Sequence, residues 1–271
     1  MRQRLKCATV TPRPLAAAAL MLLSTIPLAG IPAHAADGTW TVSGGGEYTS
    51  GDYGTSSSTN ILYLPFAAQY ETGRYRFKLT VPLLRVEGPS NVVRDVGNIN
   101  PRTRTTSGTS TNSGLGDIVA QGSMNVYANG ANNTLLDVTG KIKFGTADRN
   151  KNLGTGENDY FVQVDGYKTV AKTTWFATLG YAMLGSPPGV NLKDVPYLTV
   201  GASHRVRPDM SAGAMLYTRN AAVSGGDGQQ ELTGFVTRHL DKHRKVQVYA
   251  LLGLASGSPD YGAGAIFSYR Y

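Results

Sequence analysis

Cysteine is nearly missing from this chain: Cys7 is the only one in 271 residues. That excludes a disulfide framework and any zinc site built on thiolates. Charge is sparse as well, at 16% of residues, where an ordinary soluble domain carries roughly a quarter. The net charge of +8 is uneven, because Arg2, Arg4, Lys6 and Arg13 precede any acidic residue and +4 remains once they are set aside. A surplus that mild is no nucleic-acid footprint. Beyond residue 36 no apolar run approaches the roughly 20 residues of a membrane helix, and nothing carries the 3.6-residue period of an amphipathic one.

The N-terminus has the makeup of an export signal. Its four basic residues lead into an apolar run from Leu15 to Leu28, followed by Ala33-His34-Ala35, the small-x-small pattern that signal peptidase cuts after. The run is too short and Ala-rich for a comfortable membrane span. Residues 1–35 are therefore expected to be a removable secretory signal, and 36–271 a single domain with no cysteine at all.

Within that domain the recurring signal is alternation with a period of two, which marks a strand with two unlike faces. Tyr75, Phe77, Leu79, Val81 and Leu83 are interleaved with Arg76, Lys78 and Thr80. Leu136, Val138, Ile142 and Phe144 alternate with Asp137, Thr139, Lys141 and Lys143. Twelve such segments can be placed, at 39–48, 60–70, 75–86, 116–127, 134–144, 160–170, 173–183, 195–206, 209–218, 230–240, 244–254 and 261–271. The segment 230–240 alternates poorly, which leaves its facing open. Pro65 and Pro82 lie inside proposed strands, where the missing N–H calls for a bulge or kink.

Short connections alternate with long ones. Glu71-Thr72-Gly73, Asn129 to Asn133, Ala171-Lys172, Arg207-Pro208 and Asp241-Lys242-His243 are tight, whereas 49–59, 87–115, 145–159, 184–194, 219–229 and 255–260 are mostly longer and polar. Both regularities predict an all-β fold: a transmembrane antiparallel meander β-barrel of twelve strands, with short periplasmic turns and longer extracellular loops. A closed sheet is the one β-structure that pairs every backbone group in lipid. An even strand count puts both termini on the periplasmic side. Such a barrel belongs in a Gram-negative outer membrane, where outer-membrane lipid is its first partner. Phe267, Tyr269 and Tyr271 share one face at the C-terminus and are the expected contact for the barrel-insertion machinery.

The polar parity of such a barrel lines its lumen. Taken strand by strand, it assigns Arg74, Arg76, Lys78, Lys141, Lys143, Lys168, Arg205, Arg238 and Arg270 to a basic majority inside. Glu47, Asp117, Asp137 and Asp165 form the acidic minority. A field of one sign focused by low-dielectric walls favours counter-ions, which suggests anionic solutes or carboxylates. The alternative is that these charges pair with one another and fill the lumen. The longest loop, 87–115, holds Arg94, Arg102 and Arg104 as candidate constriction residues, and can fold inward or stand outside as a lid.

Ser113-Gly114-Leu115-Gly116-Asp117-Ile118, opening a strand after that loop, resembles a motif of the outer-membrane transporter family named after the phenol meta-degradation pathway. Size, tight turns and the aromatic C-terminus are similar too, so the likeness covers most of residues 36–271. Membership implies uptake of small organic compounds. The basic lumen departs from what a neutral aromatic solute needs, and is similar instead to that of narrow anion-selective porins taking acidic oligosaccharides.

Catalysis finds little support. A barrel lipase needs a His and a Ser side by side on one face, but Ser203 and His204 point to opposite faces. Asp148-Arg149-Asn150-Lys151-Asn152 mimics a calcium loop, yet has Leu153 where Gly is required and Asp159 where Glu is. No cofactor, metal site, nucleic-acid partner or enzymatic activity is expected. Two readings of the function stand: a passive channel for small anionic or aromatic-acid-like solutes, and a structural or adhesive barrel working through its loops. An outer-membrane hydrolase is a distant third.

Overall fold

The computed structural model describes residues 38–89, 92–94, 97–98 and 109–271. The export signal assigned to 1–35 lies outside them, as do Arg102 and Arg104. Twelve strands form the wall: β1 (Thr39–Gly51), β2 (Thr59–Thr72), β3 (Tyr75–Pro89), β4 in two parts (Thr109–Leu115 and Ile118–Asn129), β5 (Thr134–Phe144), β6 (Asp159–Val170), β7 (Thr173–Met183), β8 (Val195–Arg207), β9 (Met210–Arg219), β10 (Gln229–His239), β11 (Arg244–Gly253) and β12 (Tyr261–Arg270). Each pairs antiparallel with the next, and β1 pairs with β12 from Thr41–Arg270 to Ser50–Tyr261. The sheet is a closed meander. A 3₁₀ turn, Arg149–Lys151, is the only helical element among the described residues.

The alternation in sequence becomes two faces in space. On β6, Tyr160, Val162 and Val164 are exposed outward, while Phe161, Gln163 and Asp165 are buried inward. On β7, Trp175, Ala177, Leu179, Tyr181 and Met183 point out, and Leu179 is 65% exposed. Such a belt is stable only against lipid. Aromatic side chains edge it at both ends: Trp40, Tyr75, Tyr127, Trp175 and Tyr271 at the tight-turn end, and Tyr48, Phe144, Tyr160, Tyr181 and Tyr261 at the loop end. The segment that alternated poorly, β10, is regular here. Gln229, Glu231, Thr233, Phe235 and Thr237 face in, and Leu232, Gly234 and Val236 face out. A large apolar residue inside and a glycine outside had blurred its pattern.

The tight turns carry their own chemistry. Gly73 takes φ +54, a conformation that glycine adopts without a steric penalty. In the turn between β10 and β11, the Asp241 carboxylate accepts the backbone N–H of His243 at 2.8 Å and of Arg244 at 2.7 Å. Those bonds, with the Arg244 guanidinium at 2.6 Å, hold its pKa down at about 2.

Strand β4 differs from expectation. It begins at Thr109, not at 116, because Thr109–Leu115 pairs with Leu83–Pro89 as a ribbon running beyond the belt. Thr109, Ser110 and Thr111 are exposed on both parities, although Leu84 and Val86 of the partner strand are buried, so Thr109-Ser110-Thr111-Asn112 has no reason to alternate. Both ends of the stretch 87–115 are therefore strand, up to Pro89 and from Thr109. The Ser113–Ile118 motif sits mid-strand, across a bulge at Gly116–Asp117 where pairing shifts by one residue.

Pro65 and Pro82 explain that bulge. They face each other within an unbroken β2–β3 ladder. Two residues without N–H can do so only at a non-hydrogen-bonded position. Each proline nitrogen therefore faces its other neighbour, and there the pairing lapses. On β1 it stops at Gly44–Phe66 and resumes at Glu47–Tyr63, leaving Gly45 and Gly46 unpaired with β2. On β4 it lapses at the bulge, where the Gly116 N–H donates to the Pro82 carbonyl at 2.9 Å.

The lipid-facing belt makes a depth-dependent prediction. Val164→Arg at mid-strand should cost about 2–4 kcal/mol, and Val170→Arg at the turn end of the same face about 0–1 kcal/mol. Reversible unfolding in lipid vesicles measures both, and equal costs would contradict the placement of the belt.

Candidate functional site

The twelve strands enclose a lumen that is unevenly filled. Phe176, Met215, Phe235 and Tyr249 pack together from β7, β9, β10 and β11, with Tyr167 and Ile266 against them. Beside this cluster lies a cavity of about 130 Å³ on the side of β1 to β6, β11 and β12. Tyr63, Pro65, Ala67, Pro82, Leu84 and Phe161 give it apolar walls, while Lys78, Lys141, Lys143, Lys245 and Arg94 supply its cations.

The loop after β3 crosses the mouth above it. Val92 and Val93 are adjacent yet join different clusters. Val92 packs with Tyr53, Ile61, Tyr63, Leu84 and Leu153, and Val93 with Phe161, Leu184, Leu192, Val195, Tyr197 and Tyr217 on the opposite wall. A two-residue ladder, Val92–Asn98 and Val93–Gly97, stiffens the crossing. Arg94 follows, with its guanidinium carbon 3.6 Å from the Tyr63 ring centroid and Nη2 3.4 Å from Glu47 Oε1. The other Glu47 oxygen accepts the Tyr249 hydroxyl at 3.0 Å. Residues 92–94 thus lie inward, while the flanking strand segments Leu83–Pro89 and Thr109–Leu115 extend as a ribbon.

The lumen charges fall into two groups. Arg76 lies 2.6 Å from Asp137, which also accepts Asn125 Nδ2 at 2.8 Å. Lys143 is 2.6 Å from Asp159 and 3.3 Å from Asp117. Asp165 needs no cation, because Gln163, Thr178 and Thr139 all donate to it. These groups form a lattice. Lys78, Lys141 and Lys245, from β3, β5 and β11, have no carboxylate at ion-pairing distance among the described residues. Lys141 Nζ instead stands 5.5 Å from the Phe161 ring and 5.7 Å from that of Tyr197.

Of the candidates named from sequence, the structure places Arg76, Lys78, Lys141, Lys143, Glu47, Asp117, Asp137 and Asp165 inside. Three others are corrected. Lys168 and Arg238 point outward, since each shares the parity of its strand's lipid-facing residues. At the turn end, Lys168 Nζ reaches back to the Asn132 carbonyl at 2.6 Å, and Arg238 to Asp209 at 3.2 Å. Long basic chains at a membrane boundary behave this way. Arg74 lies in the exposed turn, whereas Arg205, opposite buried Ser211, and Arg270, in step with Ile266 and Ser268, keep the lumen parity at the exposed turn-end rim, Arg270 3.4 Å from Glu71. Lys245, Asp159, Arg219 and Glu231 are inward residues that the sequence reading passed over. Lys245 shares the parity of Gln247 and Tyr249, so its facing was readable.

No protein-family model matches the chain, and no curated protein matches it in sequence. Solved structures do. An outer-membrane channel from Pseudomonas putida F1 superposes with a TM-score of 0.64, covering 99% of this chain and 100% of that one at 13% identity. The chain is a twelve-stranded barrel of the outer-membrane type. The β domain of the Bordetella autotransporter BrkA is similar at a TM-score of 0.51 and 11% identity, over 86% and 98% of the two chains. At such identities the likeness concerns the fold.

Removing a lattice cation strands its carboxylates, so Lys143→Met should destabilise the barrel by about 3–5 kcal/mol. Lys141→Met, which breaks no ion pair, should stay within about 1 kcal/mol. Urea unfolding in vesicles compares them, and equal losses would refute the division of the lumen into two groups.

Proposed function

We propose that this protein is an outer-membrane channel for small anionic solutes, including carboxylic acids with an apolar body. The observation that carries the reading is the trio Lys78, Lys141 and Lys245 on an internal cavity, none of them ion-paired among the described residues. Three ammonium groups in a low-dielectric enclosure concentrate anions. As compact point charges, they hold a carboxylate without the two-point grip of arginine, which suits passage better than retention. The aromatic and proline walls suit the apolar remainder of an organic acid. Loop residues 92–94 form the constriction, with Arg94 at its lower edge. In this reading the tight turns face the periplasm, and Phe267, Tyr269 and Tyr271 are the residues met by the insertion machinery.

The reading takes the protein as no enzyme. Ser203 is buried on the lumen side while His204 is exposed outside, bonded through Nδ1 to Thr173 at 2.9 Å. His243 binds the Arg270 carbonyl within a turn. Neither offers a base to a nucleophile.

One observation favours the second reading, a barrel that acts through its loops: Val92 and Val93 pack against opposite walls and narrow the mouth. Single-channel conductance in a planar bilayer, with the reversal potential across a salt gradient, separates the two. Discrete anion-selective steps are expected. Replacing Lys78, Lys141 and Lys245 together by Gln should move the reversal potential toward the cation side, and Arg94→Ala should raise conductance. A folded but silent barrel would favour the loop-based reading.

A further inference from the structure

At the tight-turn end, the edge of the lipid belt is aromatic on one side of the barrel and basic on the other. From β12 to β4 the outward positions nearest the turns hold Tyr269, Tyr271, Trp40, Tyr70, Tyr75 and Tyr127, and no charged strand residue shares their face at that end among the described residues. From β6 to β10 the same level holds Lys168, Arg207 and Arg238 around Trp175. Arg207 reaches that face through a defect in the ladder. Strict alternation would send it inward with Ser203 and Arg205, but pairing shifts by one residue between Arg205 and Arg207. Arg207 therefore stands opposite Met210, and Met210 opposite Arg238, so all three share the outer face. On the other flank Lys168 is directly opposite Trp175. The Arg205 N–H donates to the Lys172 carbonyl at 2.8 Å, which sets the end of β8 against the β6–β7 turn. Lys168, Lys172 and Arg207 are exposed and have no carboxylate at ion-pairing distance among the described residues. The one acid in these two turns, Asp209, is held by Arg238 at 3.2 Å.

We infer that this sector of the rim is a binding site for the phosphate groups of anionic phospholipid in the leaflet on the tight-turn side. Cations on the lipid face at the edge of the belt lie at the depth of the headgroups, a level that a soluble acidic protein does not reach. Trp175 and Val170 stay among the acyl chains, while the long side chains of Lys168, Lys172 and Arg207 extend to the phosphates. The two ammonium groups act as point charges, and the Arg207 guanidinium can take two phosphate oxygens at once. A zwitterionic headgroup brings its own cation, which the cluster repels, so the preference is for lipids of net negative charge. The aromatic sector from β12 to β4 has no such preference. Nothing in this site depends on what the lumen carries.

Quenching by brominated lipid tests the site, because the chain has two tryptophans and they stand in different sectors. Trp40→Phe leaves Trp175 as the reporter of the basic sector, and Trp175→Phe leaves Trp40 as that of the aromatic one. Each variant is refolded in vesicles of phosphatidylcholine and phosphatidylglycerol in equal parts, with bromine on the acyl chains of one lipid or the other. Trp175 should be quenched about two-fold or more strongly when phosphatidylglycerol carries the bromine, and Trp40 equally in both cases. Replacing Lys168, Lys172 and Arg207 together by Gln should abolish the preference at Trp175 while the β-sheet circular dichroism stays unchanged. Arg207→Gln alone, a single change at an exposed position, should weaken it. Lys168→Arg with Lys172→Arg should keep it. Equal quenching of Trp175 by the two lipids overturns the site, as does a preference that survives the triple replacement or that Trp40 shows to the same degree. A preference erased by excess inorganic phosphate, with a sodium chloride control of equal ionic strength leaving it intact, would assign the cluster to free phosphate and overturn the lipid site.

Discussion

The ladder between β1 and β12 is the constraint on which everything else depends. Without it two strand edges would meet hydrocarbon, where each unpaired backbone group costs several kcal/mol. With it, every strand has two neighbours and exactly opposed demands on its two faces are met along its whole length: apolar outside, polar or packed inside. Closure also fixes an interior that twelve strands cannot leave empty at no cost. The chain packs one side of it with Phe176, Met215, Phe235 and Tyr249 and ties hydrogen-bonded charge across other parts, leaving a cavity between.

How much of this could be read from the sequence follows from where each face lies. Strands between lipid and lumen, such as β5 to β7, alternate strictly, and their bounds fall within a residue of those read from the pattern. The ribbon at Thr109–Leu115 is exposed on both parities from Thr109 to Thr111, so its polar run concealed a strand. Lys168 and Arg238 were assigned to the polar, lumen-facing parity, although the parity of Val162 and Val164, or of Leu232 and Val236, puts them outside. At the turn end of a strand, depth overrides charge, because a long basic side chain reaches water from either face. The inward fold of Val92–Arg94 left no periodic trace. It is set by contacts with walls distant in sequence, and only the arginine hinted at it.

The lumen charges also show why a list of inward residues does not describe a field. Arg76, Lys143 and Arg94 are held by Asp137, Asp159 with Asp117, and Glu47, so their charge is largely spent within the wall. Asp165 is compensated by neutral donors, which leaves its negative charge in place but fixed. Lys78, Lys141 and Lys245 remain to meet whatever enters. Ion-paired charges and unpaired lysines thus share one lumen, at different residues.

The defects in the ladder and the empty part of the lumen lie on the same side. From β6 to β12 pairing runs without a gap through the middle of the wall, its one shift lying at the turn end beside Arg205. That is the wall backed by the aromatic cluster, where a carbonyl deprived of its partner would face only ring carbon. The Pro65–Pro82 pair, the unpaired glycines and the Gly116–Asp117 bulge all fall between β1 and β4, beside the cavity. There, lumen water can supply a missing hydrogen bond at little cost. The facing Pro65–Pro82 pair, midway along its strands, is therefore placed where the interior is open and water can take up the hydrogen bonds that the prolines cannot make.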